Sequence, residues 1–252
     1  CPAHADRTPS LSVRQGERGI LVHCFAGCRS DDVLREIGRT KPILNSPPPS
    51  YRPAGTAPNV RRIWDQGTEI RGTLGEVYLR SRRLPFDLPD LRFHPRCPFG
   101  HKPKTIFRPA VLVAVRTGHQ MTAIQRIRLT NDGTWHEGKF MLGKPGQGAW
   151  APRFEGNVLA IAEGMEDAAS YTLIREIPCW AALGNERLAL IGVPTYVTKL
   201  YIAEDNDGPG RTAAMAAVDA HGMPRRCINR DAPPSEYHDW ADVERKLVNL
   251  WD

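Results

Sequence analysis

The chain has 252 residues, 34 of them Lys or Arg and 28 Asp or Glu, with 41% apolar and 25% charged residues. That length supports two compact units with their own cores, and the composition excludes collagen-like, coiled-coil and disordered chains. No stretch approaches the roughly 18 uninterrupted apolar residues of a membrane span, and no charged-then-apolar leader opens the chain, so a cytoplasmic protein without a membrane partner is expected. The chain opens on Cys1 rather than Met, so a preceding segment is expected.

Residues 1–40 read as one small unit. Ser10–Val13 and Ile20–His23 are strand-like and the run Gln15–Gly19 between them is a turn, which makes a hairpin. Asp31 and Asp32 then open a short helix with Val33, Leu34 and Ile37 on one face. So small a unit lacks core and needs a staple. Residues 41–60 hold Pro42, Pro47, Pro48, Pro49, Pro53 and Pro58 and read as a semi-stiff linker.

Residues 61–150 form the next segment. A helix is predicted over Thr73–Arg82, with Leu74, Val77, Tyr78 and Leu79 available to a core; strands follow at Ala110–Val115, Met121–Leu129 and Lys139–Leu142. His94, Cys97 and His101 fall in what reads as a Pro-rich loop and are taken as ordinary loop residues. In residues 151–252 the apolar run Val158–Ala162 ends at Glu163, and helix Met165–Glu176 follows. Strands Pro178–Leu183 and Leu200–Ala203 and helix Pro209–His221 complete an alternating pattern. Strands alternating with helices predict a parallel α/β sheet, whose ligand sites lie beyond the carboxyl ends of its strands. Cys179 and Cys227 read as buried or incidental thiols.

Charge is unevenly spread. Residues 51–150 carry 17 basic and 7 acidic groups, and residues 151–252 carry 10 and 16. A polyanion beside the first and cations beside the second would fit, that is, nucleic acid and a divalent metal.

Two clusters carry chemistry. Cys1 and His4, then Cys24 and Cys28, give C-x2-H and C-x3-C separated by nineteen residues, with a predicted hairpin between. Three thiolates and one imidazole make a closed tetrahedral Zn²⁺ site, structural rather than catalytic, and metal binding would supply the folding energy this unit lacks. The second cluster is acidic. Glu163 follows one strand; Asp205 and Asp207 follow another and can share an ion. Three carboxylates that close require a cation, and Mg²⁺ takes such oxygen ligands while leaving positions for phosphate. Asp239, in Asp239-Trp240-Ala241-Asp242, is either a further ligand or the start of the last helix, Asp242–Trp251.

The motifs Cys-Pro-Ala-His-Ala-Asp-Arg-Thr-Pro-Ser-Leu (1–11) and His-Cys-Phe-Ala-Gly-Cys (23–28) resemble the zinc ribbon of bacterial and phage DNA primases. Leu-Ala-Ile-Ala-Glu-Gly-Met-Glu-Asp-Ala (159–168), Ile-Ala-Glu-Asp-Asn-Asp-Gly-Pro-Gly-Arg (202–211) and His-Asp-Trp-Ala-Asp-Val (238–243) resemble the Toprim domain of the same family, in the family's order. The middle of the chain is similar to primases of phages, plasmids and other mobile elements.

The resemblance implies mixed α/β and α+β architecture: a zinc ribbon (1–40), a linker (41–60), a basic α+β N-terminal subdomain of the catalytic core (61–150) and a Rossmann-like Toprim subdomain with a parallel sheet (151–252). It implies synthesis of short RNA primers on a single-stranded DNA template from ribonucleoside triphosphates. Glu163, Asp205 and Asp207 would be catalytic and, with Asp239, would hold Mg²⁺ or Mn²⁺. Arg126, Arg128, Lys139 and Lys144 would grip template and nucleotide phosphates. The C-x3-C pair departs from the usual C-x2-C of replicative primases. No G-x-x-x-x-G-K-[ST] motif occurs, so a replicative helicase is expected as a separate chain. Two other readings stand: a Toprim nuclease, and a non-catalytic zinc-dependent DNA-binding module of a mobile element. A topoisomerase would need a tyrosine nucleophile in its own domain, which the six tyrosines do not suggest.

Overall fold

The computed structural model describes residues 1–5, 10–16, 19–39, 57–101 and 103–247. The chain divides into two compact units, Cys1–Arg52 and Pro53–Asp252.

In the first unit, β1 (Leu11–Gly16) and β2 (Gly19–Cys24) form an antiparallel hairpin with Val13 opposite Val22, and α1 (Ser30–Arg39) follows. Its core is small: Val22, Cys24 and Val33, with Ala3, Leu11 and Ile37 packed around them. Leu34, expected on the buried face, is exposed, because only Val33 and Ile37 of that stripe meet β2. The linker residues 41–56 lie outside the described residues.

The second unit contains two sheets. Helix α2 (Pro58–Asp65) begins inside the stretch read as linker, with Pro58 in its first turn, where a missing N–H costs nothing. Helix α3 (Leu74–Ser81) is capped by Thr73, whose side chain accepts from Gly75 N; Tyr78 and Leu79 are buried, while Val77 faces outward. Four antiparallel strands follow in the order β3 (Leu91–Phe99), β4 (Ile106–Thr117), β5 (Gln120–Leu129), β6 (His136–Gly143). The segment read as a loop around His94 and Cys97 is therefore a strand. It tolerates Pro95 and Pro98 because it lies at the sheet edge and its register shifts between His94 and Cys97.

The second sheet is parallel, in the order β10 (Cys227–Asp231), β9 (Lys199–Ala203), β7 (Val158–Ala162), β8 (Cys179–Ala181). Helices α4 (Met165–Arg175), α5 (Gly208–His221) and α6 (Trp240–Leu247) accompany it. Strand β10 was not anticipated; its sequence, Cys-Ile-Asn-Arg-Asp, has no apolar run. Alternation along β7 fixes the layers: Leu159 and Ile161 pack toward Ala214 and Ala217 of α5, while Ala160 and Ala162 pack toward Met165 and the antiparallel sheet. The same core joins Val111, Val113 and Ile127 to Ala160, Ala203 and Trp240, so the two sheets share one interior. The other face of the antiparallel sheet is closed in part by Val60, Ile63 and Trp64 of α2. No described helix is long and apolar enough to cross a membrane.

Candidate metal and nucleic-acid sites

In the first unit the candidate ligand atoms of Cys1, His4, Cys24 and Cys28 all lie within 4.8 Å of one another. Gly27 takes φ +89° and donates its N–H to Cys24 O at 3.1 Å, so the three-residue spacing closes into a turn that returns Cys28 to Cys24. His4 Nδ1 is 3.1 Å from Cys28 Sγ. The Cys24 thiol is brought down to about 7: burial opposes this, and the N–H groups of Cys28 and Ala26 outweigh it. Sulfur and imidazole donors at this separation fit a structural zinc ion.

In the second unit β7 and β9 are adjacent and in register, with Ala162 opposite Ala203. Both chains therefore leave the sheet at the same level, carrying Glu163 and then Glu204 to Asp207. Alternation separates the acidic run. Glu204 is buried and paired with Arg230 of β10 at 2.7 Å, whereas Asp205 turns the other way. Asp207 caps α5, accepting from Gly210 N at 2.6 Å.

The loop after β10 is clamped over this edge by Asn206. Its amide donates to the carbonyls of Pro233, Pro234 and Tyr237 at 3.0, 3.1 and 2.8 Å, and its N–H to His238 O at 2.8 Å. The clamp brings in Asp239, which caps α6 through Asp242 N at 2.6 Å. It also brings in His238, whose ring lies 3.6 Å from Asp207 Oδ2 and 3.4 Å from Asp239 Oδ2.

The carboxylates act on one another. Glu163 is raised to about 7 by burial and by Asp167, with Asp207 and Glu186 adding and Lys139 opposing. Asp205 is raised to about 7 by burial, Glu163, Asp239 and Asp207, with His238 opposing. Asp167, buried in the first turn of α4, is pushed up by burial and by Asp239 and Asp205. Burial alone would lower the proton affinity of His238, but the surrounding Asp239, Asp205 and Asp207 raise it.

Among the described residues no three of these carboxylates approach within 4.8 Å; only the Cys/His quartet does. The donor set nevertheless fits a hard divalent cation. It consists of oxygens, Glu163 and Asp205 hold protons more tightly than free carboxylates do, and Asp205 Oδ1 is buried without a hydrogen-bond partner.

A cavity of about 330 Å³ adjoins this edge, lined by Gln125, Lys139 and Met141 on one side and Glu163, Gly164, Leu183, Gly184 and Glu186 on the other. A larger cavity of about 1040 Å³ lies beside Phe154, Trp180 and Tyr196, and its half-buried ion pair, Arg116–Asp90 at 2.7 Å, is already satisfied. The smaller cavity is the candidate site, because Glu163, whose proton affinity is raised, opens onto it beside Lys139.

The four expected basic residues divide. Lys139 stands opposite Ile127 and faces the cavity, 2.7 Å from Glu166. Arg126 stands opposite Phe140, on the other face of the sheet; its guanidinium donates to Pro98 O at 2.6 Å and lies 5.0 Å from the centre of the Phe99 ring. Arg128 shares that face, 3.0 Å from Glu137 and 5.1 Å from the centre of the Phe140 ring. Lys144 is exposed just beyond β6.

The residues missed in the sequence are Asp167, Glu166, Glu186, His238 and the clamp Asn206. The acidic pair following Glu163-Gly164-Met165 was the available signal for the first two. Asn206 and His238 lie within the motifs at 202–211 and 238–243, but local pattern assigns neither its role. His94 and Cys97 are buried in β3 and His101 is exposed; they do not form a ligand group.

Residues 158–247 match the Toprim domain family, and residues 54–151 match a domain of unknown function (DUF7146). No curated protein matches the sequence. Among solved structures, the zinc-binding and RNA polymerase domains of the Aquifex aeolicus primase align over 99% of this chain and 76% of that one, at 15% identity and TM-score 0.53. A DNA primase domain from Pseudomonas aeruginosa aligns over 77% and 74%, at 14% identity and TM-score 0.53. A DnaG primase catalytic domain bound to single-stranded DNA aligns over 76% and 75%, at 15% identity and TM-score 0.51. The chain thus resembles the bacterial and phage DNA primases, with their catalytic-core fold, a Toprim domain at 158–247 and a Cys/His cluster that fits a zinc ribbon.

Proposed function

We propose that the chain is a DNA primase, a nucleotidyltransferase that makes short RNA primers on single-stranded DNA from ribonucleoside triphosphates. The observation that carries this reading is the orphaned, buried Asp205 Oδ1 among Glu163, Asp207 and Asp239, beyond the carboxyl ends of adjacent parallel strands, with Glu163 facing Lys139 across a cavity. Glu163, Asp205, Asp207 and Asp239 would hold Mg²⁺ or Mn²⁺. Metal bound there supplies Lewis-acid stabilisation of a phosphoryl group and of an attacking hydroxyl.

The protein groups have separate tasks. Glu163, the member of the metal set that opens onto the cavity, is placed to accept a proton from a primer 3′ hydroxyl. His238 orients the outer oxygens of Asp207 and Asp239, whose inner oxygens cap helices. Lys139 presents an ammonium to nucleotide phosphates. Arg126 and Arg128, with Phe99 and Phe140 on the opposite face, form a stacking and phosphate-binding surface for template. The zinc cluster is assigned a structural role in template contact. A similar structure described as bound to single-stranded DNA supports the template assignment. A separate replicative helicase and a mobile-element setting belong to the same proposal, as does the division into ribbon, linker, basic subdomain and Toprim subdomain.

The test is primer synthesis on a panel of single-stranded templates with Mg²⁺ and ribonucleotides. Wild-type protein should yield primers, and Asp205→Asn should yield none while keeping its zinc and its melting transition. Primer yield from Asp205→Asn equal to wild type rejects the metal assignment, and shortened template in place of primers identifies a nuclease.

A further inference from the structure

One buried carboxylate near the site has no part in the metal set. Glu166, in the first turn of α4, is only 5% exposed. An ionised carboxylate so placed is costly unless both oxygens are engaged. Both are, and by partners from the antiparallel half of the unit. Tyr78 of α3 donates its hydroxyl to Oε1 at 2.5 Å, and Lys139 of β6 donates its ammonium to Oε2 at 2.7 Å. Burial alone would raise the Glu166 proton affinity, but Lys139 and Tyr78 bring it well below the usual carboxylate range, so the group is anionic.

The brace is itself held. Tyr78 is fully buried, and the Arg82 guanidinium lies 5.1 Å from the centre of its ring and 3.3 Å from His136 Nδ1. With that nitrogen accepting from Arg82, the Tyr78 hydroxyl proton is directed to Glu166.

Lys139 is the mobile member of this group, a four-carbon stem ending in a point charge. It lines the same cavity as Glu163, whose carboxylate, once ionised for metal, competes with Glu166 for the ammonium. Unrestrained, the ammonium would swing to Glu163 and neutralise a group needed for metal.

We propose that Glu166, braced by Tyr78, is a positioning residue. It holds the Lys139 ammonium away from the metal-ligating carboxylates and at the cavity wall, where it receives the triphosphate of the incoming nucleotide. This deepens the primase reading and rests on it for the identity of the ligand.

Two measurements test it: KM and kcat for ribonucleoside triphosphate in primer synthesis, and direct binding of ATP by equilibrium dialysis. Glu166→Gln keeps the size of the side chain and an acceptor for Tyr78 but loses the charge that restrains Lys139. It should raise KM and the ATP dissociation constant about tenfold, as loss of one charge-assisted phosphate contact does, with a much smaller change in kcat. Tyr78→Phe should act in the same direction and less.

The decisive comparison is the double variant. If Glu166 works through Lys139, adding Glu166→Gln to Lys139→Met changes nothing further, whereas a merely structural role would make the two effects additive. Unchanged ATP affinity in a natively melting Glu166→Gln protein, or additivity in the double variant, overturns the proposal. If wild-type protein binds ATP but makes no primers, the primase reading fails and the dialysis series still decides the role of Glu166. If wild-type protein binds no ATP, both fall.

Discussion

Arg126 and Lys139 occupy neighbouring strands one register step apart and leave the antiparallel sheet on opposite faces. Lys139 is paired with Ile127 and Arg126 with Phe140, and directly opposed residues project to the same side. The basic surface implied by the sequence is therefore two surfaces. One is a single ammonium above the carboxylates, and the other is a group of guanidiniums stacked on phenylalanines.

Different variants should accordingly change different quantities. Arg128→Ala removes a cation stacked on Phe140 and should reduce the salt dependence of single-stranded DNA binding by about 0.7 in log–log slope, as for one phosphate contact. Its KM for nucleotide should stay at the wild-type value. A titration of fluorescent oligonucleotide at several salt concentrations measures the first. An unchanged slope removes this face from the template path.

Gly210 is fixed by its neighbour. A Cβ there would stand 2.9 Å from both Cβ and the carbonyl oxygen of Asp205, and 3.0 Å from Asp207 Oδ1. The backbone oxygen cannot turn aside, so Gly210→Ala must displace the acidic loop and should cost at least about tenfold in primer synthesis, as small misplacements of catalytic groups do. Gly208→Ala is the control: nothing lies within 4 Å of its Cβ position, and it opens α5 at an ordinary φ. It should leave activity intact and raise the melting temperature slightly. Equal losses in the two variants would refute the steric account.

The acidic edge makes stability depend on pH in a defined direction. Glu163 and Asp205 titrate near 7 when folded, against about 4.3 and 3.9 in an unfolded chain. Between those limits the folded state holds protons that the unfolded state has released, so metal-free stability falls as pH rises from about 5 to 8. Asp205→Asn should flatten that decline. Mg²⁺ competes with those protons and should raise the melting temperature more at pH 8 than at pH 6. Scanning calorimetry at both pH values reads this, and an equal Mg²⁺ effect at the two would count against a carboxylate metal site.

Among the described residues the first unit buries two apolar side chains, Val22 and Val33, beside its four ligands, too few to fold on packing alone. Chelation should melt the hairpin and α1 without shifting the transition of the second unit, and Cys28→Ser should do the same without chelator. Zinc analysis beside circular dichroism measures this. A first unit that keeps its structure when stripped of metal would show that hydrophobic packing suffices.

Much of this molecule follows from local pattern. The spacing of Cys1, His4, Cys24 and Cys28 around a hairpin, and the apolar runs ending at Glu163 and at Glu204-Asp205, depend on residues close in sequence. Short-range alternation and turn chemistry are enough to read them. Strand β3 was hidden by two prolines that only an edge position tolerates, and β10 by a sequence without apolar alternation. What tertiary structure alone decided is which distant groups meet. The pairing register put Lys139 and Arg126 on different faces. The Asn206 clamp delivered His238 and Asp239 to the acidic edge. The packing of α3 and β6 against α4 joined Tyr78 and Lys139 to Glu166. Such meetings depend on how strands align and helices dock across long separations in the chain, and periodicity along one segment carries no information about its partner.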